Sequence, residues 1–217
     1  MRNFIKYSKF KLRDRPGSCT PVGPSFKHAT TRSVILAGTE VVFKVPRHDP
    51  SPYGETPQIR MRKSYSLNAA RPINWNVQPS QSWCHTEIFF RQWSFCGPWF
   101  TGYMGRTSCY LEVVELAEAN PRLNFMHPKA LEAASLSYLT ANYGHEVIDR
   151  DSGEMNYIAP LNWSVVTQLD IPAVQFDSES TAGSADPERH VFIPISKLHI
   201  AHFSFNTVQN ASGTREE

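Results

Sequence analysis

Eight histidines, four cysteines and 20 acidic side chains are the groups that could do chemistry in this chain of 217 residues. Their spacing gives them little to work with. A metal centre needs ligands that converge. His199 and His202 stand three apart on an alternating stretch, which sends them to opposite faces of a strand. His85, His127, His145 and His190 are scattered, and no His-Glu-x-x-His or Cys/His pattern occurs, so the histidines read as surface or hydrogen-bonded groups without a metal. A serine or cysteine nucleophile needs an activating base and a sharp elbow. There is no Gly-x-Ser-x-Gly, and Cys96, just before Gly97-Pro98, has no recognisable histidine partner. Gly97, Gly102 and Gly105 are wrongly spaced to cradle a phosphate. Acidic residues do gather, at Asp149, Asp151 and Glu154 and again at Asp177 and Glu179, but on predicted turns and loops, where a solvated surface is expected. No cofactor is implied, and a binding protein is expected rather than an enzyme.

The most aromatic stretch, Ile88 to Gly105, must lie in or against the core, since large rings bury the most apolar surface. It predicts a strand over Glu87–Phe95, a turn at Cys96-Gly97-Pro98 and a returning strand over Trp99–Met104. Before it, Ile73, Trp75 and Val77 alternate within a strand expected from Tyr65 to Val77.

After it, two helices are predicted. The first is capped by Ser108 and has an apolar face of Tyr110, Leu111, Val113, Val114, Leu116 and Ala117. Glu112, Glu115 and Glu118, three apart, form its acidic flank, and Asn120-Pro121 stops it. The connector Arg122–Met126 leads to a second helix that opens at Pro128, carries Leu131, Ala134, Tyr138 and Ala141 on one side and stops at Tyr143-Gly144. Strands follow: a hairpin around Asp149–Gly153, then Asn162–Leu169, His190–Ile195 and Leu198–Phe205, with a polar loop over Phe176–Pro187. The expected fold is α+β, a largely antiparallel sheet covered on one face by a helix pair.

Residues 1–60 differ in kind. They carry 11 Lys and Arg against 4 Asp and Glu, whereas residues 61–217 carry 11 against 16. Seven of the 16 prolines lie among them. A basic, Pro-rich arm, partly disordered, on an acidic domain over 61–208 is expected, with a frayed tail over 209–217. One patch of the arm, Ser33–Ala37 and Glu40–Val45 around Gly38-Thr39, reads as a β-hairpin. Met61 is an alternative translation start. With no apolar h-region, no membrane-length run and no Cys-x-x-Cys among Cys19, Cys84, Cys96 and Cys109, the cytoplasm is the expected compartment, without a membrane partner.

The constellation Trp93-Ser-Phe-Cys-Gly97-Pro98-Trp99-Phe100-x-Gly102, followed by Asn120-Pro121 and by His127-Pro128 opening a helix, resembles immunity proteins of bacterial polymorphic and type VI secretion toxin systems. It looks like the family that neutralises toxins with a restriction-endonuclease fold. The resemblance covers roughly Ser64 to Phe205. It implies an α+β, cytoplasmic, non-enzymatic protein whose partner is a cognate toxin, with the motif residues as structural markers. Toxin contacts vary with the toxin and do not transfer. A nuclease cleft is positive because it holds phosphate, so Asp149, Asp151, Glu154, Asp177, Glu179, Glu112, Glu115 and Glu118 are the expected toxin-binding positions. Two other readings stand beside this one: an enzyme using Cys96 or a histidine such as His127, and a nucleic-acid-binding protein using the basic arm.

Overall fold

The structure, a computed structural model, describes residues 24, 29–46, 63–65, 67, 71–72, 83–96, 103–118, 120, 122–143, 157–180 and 187–209. In chain order its elements are β1 (Thr30–Leu36), β2 (Thr39–Val45), β3 (Ser64–Tyr65), β4 (Arg71–Pro72), β5 (Trp83–Cys96), β6 (Tyr103–Leu116), α1 (Pro128–Tyr143), β7 (Tyr157–Val165), β8 (Val174–Ser180), β9 (Glu188–Pro194) and β10 (Ile200–Gln209). Seven strands form one antiparallel sheet in the order β4-β5-β6-β10-β9-β8-β7, and three form a small one, β2-β1-β3.

The large sheet is buried on both faces. On one, Val34, Leu36 and Val45 of the β1–β2 hairpin pack with Ile88, Trp93, Leu111, Val113 and Phe203. On the other, Leu131, Ala134, Tyr138, Leu139 and Ala141 of α1 pack with Trp83, Val114, Phe176, Phe192 and Ile200. Polar ties reinforce the hairpin side. Thr39 Oγ1 donates to the Ile195 carbonyl at 2.6 Å. Ile88 sits in the β-bulge of the β5–β6 ladder, and its carbonyl accepts from the Tyr65 hydroxyl at 2.9 Å. The hairpin predicted inside the basic arm is therefore built into the core, with Gly38 at φ 81° in its turn. The rest of the arm lies outside the described residues.

Among the described residues the expected helix pair is replaced by one helix, and the fold is mostly β. The segment predicted as the first helix is β6, paired with β5 on one side and β10 on the other. Its residues explain the difference. Tyr110, Val113 and Val114 are aromatic or β-branched and favour a strand. A central strand covered on both faces loses the apolar–polar alternation that would mark it, and its continuous apolar run imitates a helix face. Alternation then sends Glu112 and Glu115 to opposite faces instead of along one flank.

The second predicted helix stands as α1. Pro128 supplies its first turn, the His127 carbonyl accepts from the Ala130 and Leu131 amides, and its buried stripe follows helical spacing. Of the strand expected from Tyr65 to Val77, Tyr65 lies in β3 and Arg71–Pro72 form β4, while 66, 68–70 and 73–82 lie outside the described residues. One further expectation changes. The loop over Phe176–Pro187 is strand β8 as far as Ser180, and Phe176, Asp177 and Ser178 are buried. Residues 97–102, 144–156, 181–186 and 210–217, on which the Gly97-Pro98 turn, the Asp149–Gly153 turn and the tail fall, lie outside the described residues. No helix among the described residues is long and apolar enough to cross a membrane.

Candidate functional site

Five strands and α1 bring one set of polar side chains together beneath the helix. Glu112 of β6 is 3 % exposed, and its carboxylate accepts three hydrogen bonds. On Oε1 it receives the Tyr138 hydroxyl at 2.7 Å and His202 Nδ1 at 2.8 Å. On Oε2 it receives His85 Nδ1 at 2.8 Å. The far nitrogen of His202, Nε2, meets His190 Nδ1 at 3.0 Å, and His190 Nε2 meets Ser178 Oγ at 2.8 Å. His190, His202 and Ser178 are all within 1 % of full burial.

The sheet register places this chain. Glu112 on β6 lies opposite His202 on β10, which lies opposite Phe192 on β9. His190 faces Phe176 on β8, one diagonal step away. Stacked rings fix the imidazoles: Phe192 lies 4.4 Å from His202 at 14°, and Phe176 lies 5.1 Å from His190. Tyr138 meets His202 edge-on at 5.1 Å, so α1 both covers the network and takes part in it.

Donor roles follow from the carboxylate, which only accepts when ionised. Burial pushes the Glu112 carboxyl upward, but hydrogen bonds from His202 and His85, and then their charges, outweigh it and hold it at about 2. His202 Nδ1–H and His85 Nδ1–H therefore donate to it. With His202 neutral, its Nε2 accepts from His190 Nδ1–H, and His190 Nε2 accepts from the Ser178 hydroxyl. Every donor in the chain then points toward Glu112. Burial pulls the His85 imidazole down, but the Glu112 hydrogen bond and charge prevail and raise it. For His190, burial and the neighbouring His202 act together and push it down to about 2.

Comparison with protein-family models, with curated proteins and with solved structures finds no match. The geometry alone speaks for the site. It is a serine, two imidazoles and a carboxylate in series, with the order of an acid–base relay. A relay that works on a substrate must present its hydroxyl to one, and Ser178 is 1 % exposed beneath packed rings.

The predicted acidic surface is rearranged. Glu112 and Asp177, expected to face a toxin, are withdrawn into the fold. Glu112 is the centre of the network. Asp177 accepts from Arg189 Nε at 2.8 Å, Arg189 Nη2 at 3.1 Å and Asn162 Nδ2 at 2.9 Å, and these hold its carboxyl below the usual range. Glu115 is half-buried and pairs with His199 at 3.1 Å. Glu118 and Glu179 are exposed. Asp149, Asp151 and Glu154 lie outside the described residues, as do the motif residues Gly97, Pro98, Trp99, Phe100 and Gly102. Trp93 is buried in the hairpin-side core, and His127 and Pro128 open α1.

His127 is exposed at the start of α1, Cys96 ends β5 with its side chain outside the described residues, and burial pushes the Cys109 thiol up to about 12, far from a reactive thiolate. Among the described residues no group of three or more His, Cys, Asp and Glu side chains is arranged to hold a metal ion.

Sequence reasoning missed the network although one signal for it was present. The β9–β10 hairpin is centred on Lys197 and pairs residues of equal parity. It therefore places His190 and His202 on one face, along with Ile200 and Ser204. The glutamate could not be added while Glu112 was read as the flank of a helix.

Proposed function

We propose that this chain is a cytoplasmic, non-enzymatic immunity protein that binds a cognate bacterial toxin, a nuclease, and neutralises it by protein–protein contact. The observation that supports this reading is the closure of the Ser178–His190–His202–Glu112 chain. The convergent acid–base groups bond to one another, are covered by α1, and tie five strands and a helix into one unit. Such a network strengthens a scaffold and leaves recognition to the surface. The resemblance carried by Trp93, His127 and Pro128 and by the Gly97–Gly102 segment supplies the partner class. On the described surface, exposed Glu118 and Glu179 can contribute attraction to a positive nuclease cleft.

The test is protection in cells. Co-expression with the nuclease toxin encoded in the adjacent reading frame should restore survival, and the two proteins should co-purify. Equal killing with and without this chain, at matched toxin levels, overturns the reading.

A further inference from the structure

Two imidazoles joined nitrogen to nitrogen admit few protonation patterns, and the His190–His202 pair is bounded on both sides. Ser178 lies at one end and Glu112 at the other. We propose that the Ser178–His190–His202–Glu112 chain is an acid-sensitive latch holding α1 to the large sheet, which absorbs one proton without rearrangement and opens when a second arrives.

The first proton is accommodated by reversing the direction of the hydrogen bonds. It resides on His202 Nε2, which then donates to His190 Nδ1. His190 carries its own proton on Nε2 and donates to Ser178 Oγ, which accepts equally well. Every contact survives, and the imidazolium lies against the Glu112 carboxylate. A second proton has no such place. On His190 Nδ1 it would face the His202 Nε2–H across 3.0 Å, donor against donor, between two charged rings whose centroids are 5.3 Å apart. On Glu112 it would remove acceptor capacity that Tyr138, His202 and His85 share.

Among the described residues, the titratable and charged groups that face the pair are His85 on β5, Glu112 on β6, Asp177 on β8, Glu188 on β9 and Tyr138 on α1. Tyr138 joins α1 to this chain, and its ring also meets Trp83 edge-on at 5.6 Å, so releasing the carboxylate undermines the packing under the helix.

The sign is that of acid lability. The folded state resists charging His190, which the unfolded or opened chain charges below its ordinary value of 6.5, so the latch weakens as pH falls below that value. Glu112, held low when folded, adds a second loss as pH falls below 4.5. His85, raised when folded, works the other way: its contribution is intact in acid and fades as pH rises through its folded value. The latch does not depend on what the surface binds.

Hydrogen exchange of the full chain, read by mass spectrometry and corrected for the intrinsic pH dependence of exchange, tests it. Between about pH 6.5 and 4.5, protection of peptides from α1 should fall about tenfold per pH unit, the slope of one proton taken up on opening. The β1–β2 hairpin, on the opposite face, should keep its protection over that range. His190→Gln, whose amide can bond without charging, should move the loss in α1 to lower pH. Loss of protection in α1 and the hairpin together in the unmodified chain overturns the latch. So does a His190→Gln variant that opens at the unmodified pH. Should that variant fail to fold, the comparison of α1 with the hairpin decides alone.

Discussion

Glu112→Ala should lower the stability of the fold by about 3–5 kcal/mol, the cost of removing one partner from a buried charged network. The carboxylate is 3 % exposed, and three donors converge on it from β5, β10 and α1. Truncation leaves the Tyr138 hydroxyl and the two imidazole N–H groups without their acceptor, each at about 1–3 kcal/mol if it finds no other. Glu112→Gln should cost less, because the amide keeps one acceptor oxygen, but its NH2 group meets a donor. The control is Glu118→Ala, an exposed position that should change stability by no more than about 0.5 kcal/mol. Urea midpoints at neutral pH measure all three. Were Glu112 on the solvated flank of a helix, as its spacing from Glu115 and Glu118 predicts, Glu112→Ala and Glu118→Ala would be indistinguishable.

Removing residues 1–60 should abolish cooperative unfolding. Val34, Leu36 and Val45 are 1 %, 0 % and 3 % exposed in the core against Leu111, Val113 and Phe203. Each buried aliphatic side chain is worth about 1.5–3 kcal/mol. Phe43 adds edge-on contacts with Phe89 at 5.6 Å and Phe203 at 5.8 Å. Together these approach the whole stability of an ordinary domain, about 5–15 kcal/mol. A chain beginning at Met61 should therefore lose its near-ultraviolet circular dichroism and melt without a sharp transition. In the full chain, Leu36→Ala should cost about 2–5 kcal/mol. A Met61 chain with an unchanged urea midpoint would mean that the hairpin is dispensable to the fold.

Where local chemistry and tertiary environment agree, the sequence was readable. Gly38 marks the turn of the β1–β2 hairpin. Pro128 and the stripe of Leu131, Ala134, Tyr138 and Ala141 mark α1, and the alternation of Ile200, His202 and Ser204 marks β10. Reading failed where a strand is covered on both faces. In β6 the apolar run over Leu111–Val114 serves two cores at once, and the glutamate within it looked like solvent-facing charge. The same error hid β8: Asp177 and Ser178 suggested a polar loop, yet each is buried because a partner on β9 or β7 satisfies it. Composition reports that a side chain is polar; only the pairing of strands reports that its partner is waiting. The candidate network was thus missed: its histidines read as scattered groups, its serine as part of a loop and its carboxylate as a helix flank.

Stoichiometric inhibition of the nuclease toxin proposed as partner, by purified Ser178→Ala protein, is the most direct measurement of whether the enclosed chain serves structure and the surface serves recognition. Loss of the hydroxyl removes one buried hydrogen bond, at about 1–3 kcal/mol, and leaves the exterior untouched. A folded Ser178→Ala protein should bring nuclease activity to zero at the same equivalence point as the unmodified chain, by forming a complex. Substoichiometric inactivation by the unmodified chain, lost in folded Ser178→Ala, would show that the serine–histidine relay performs a reaction, and would contradict it.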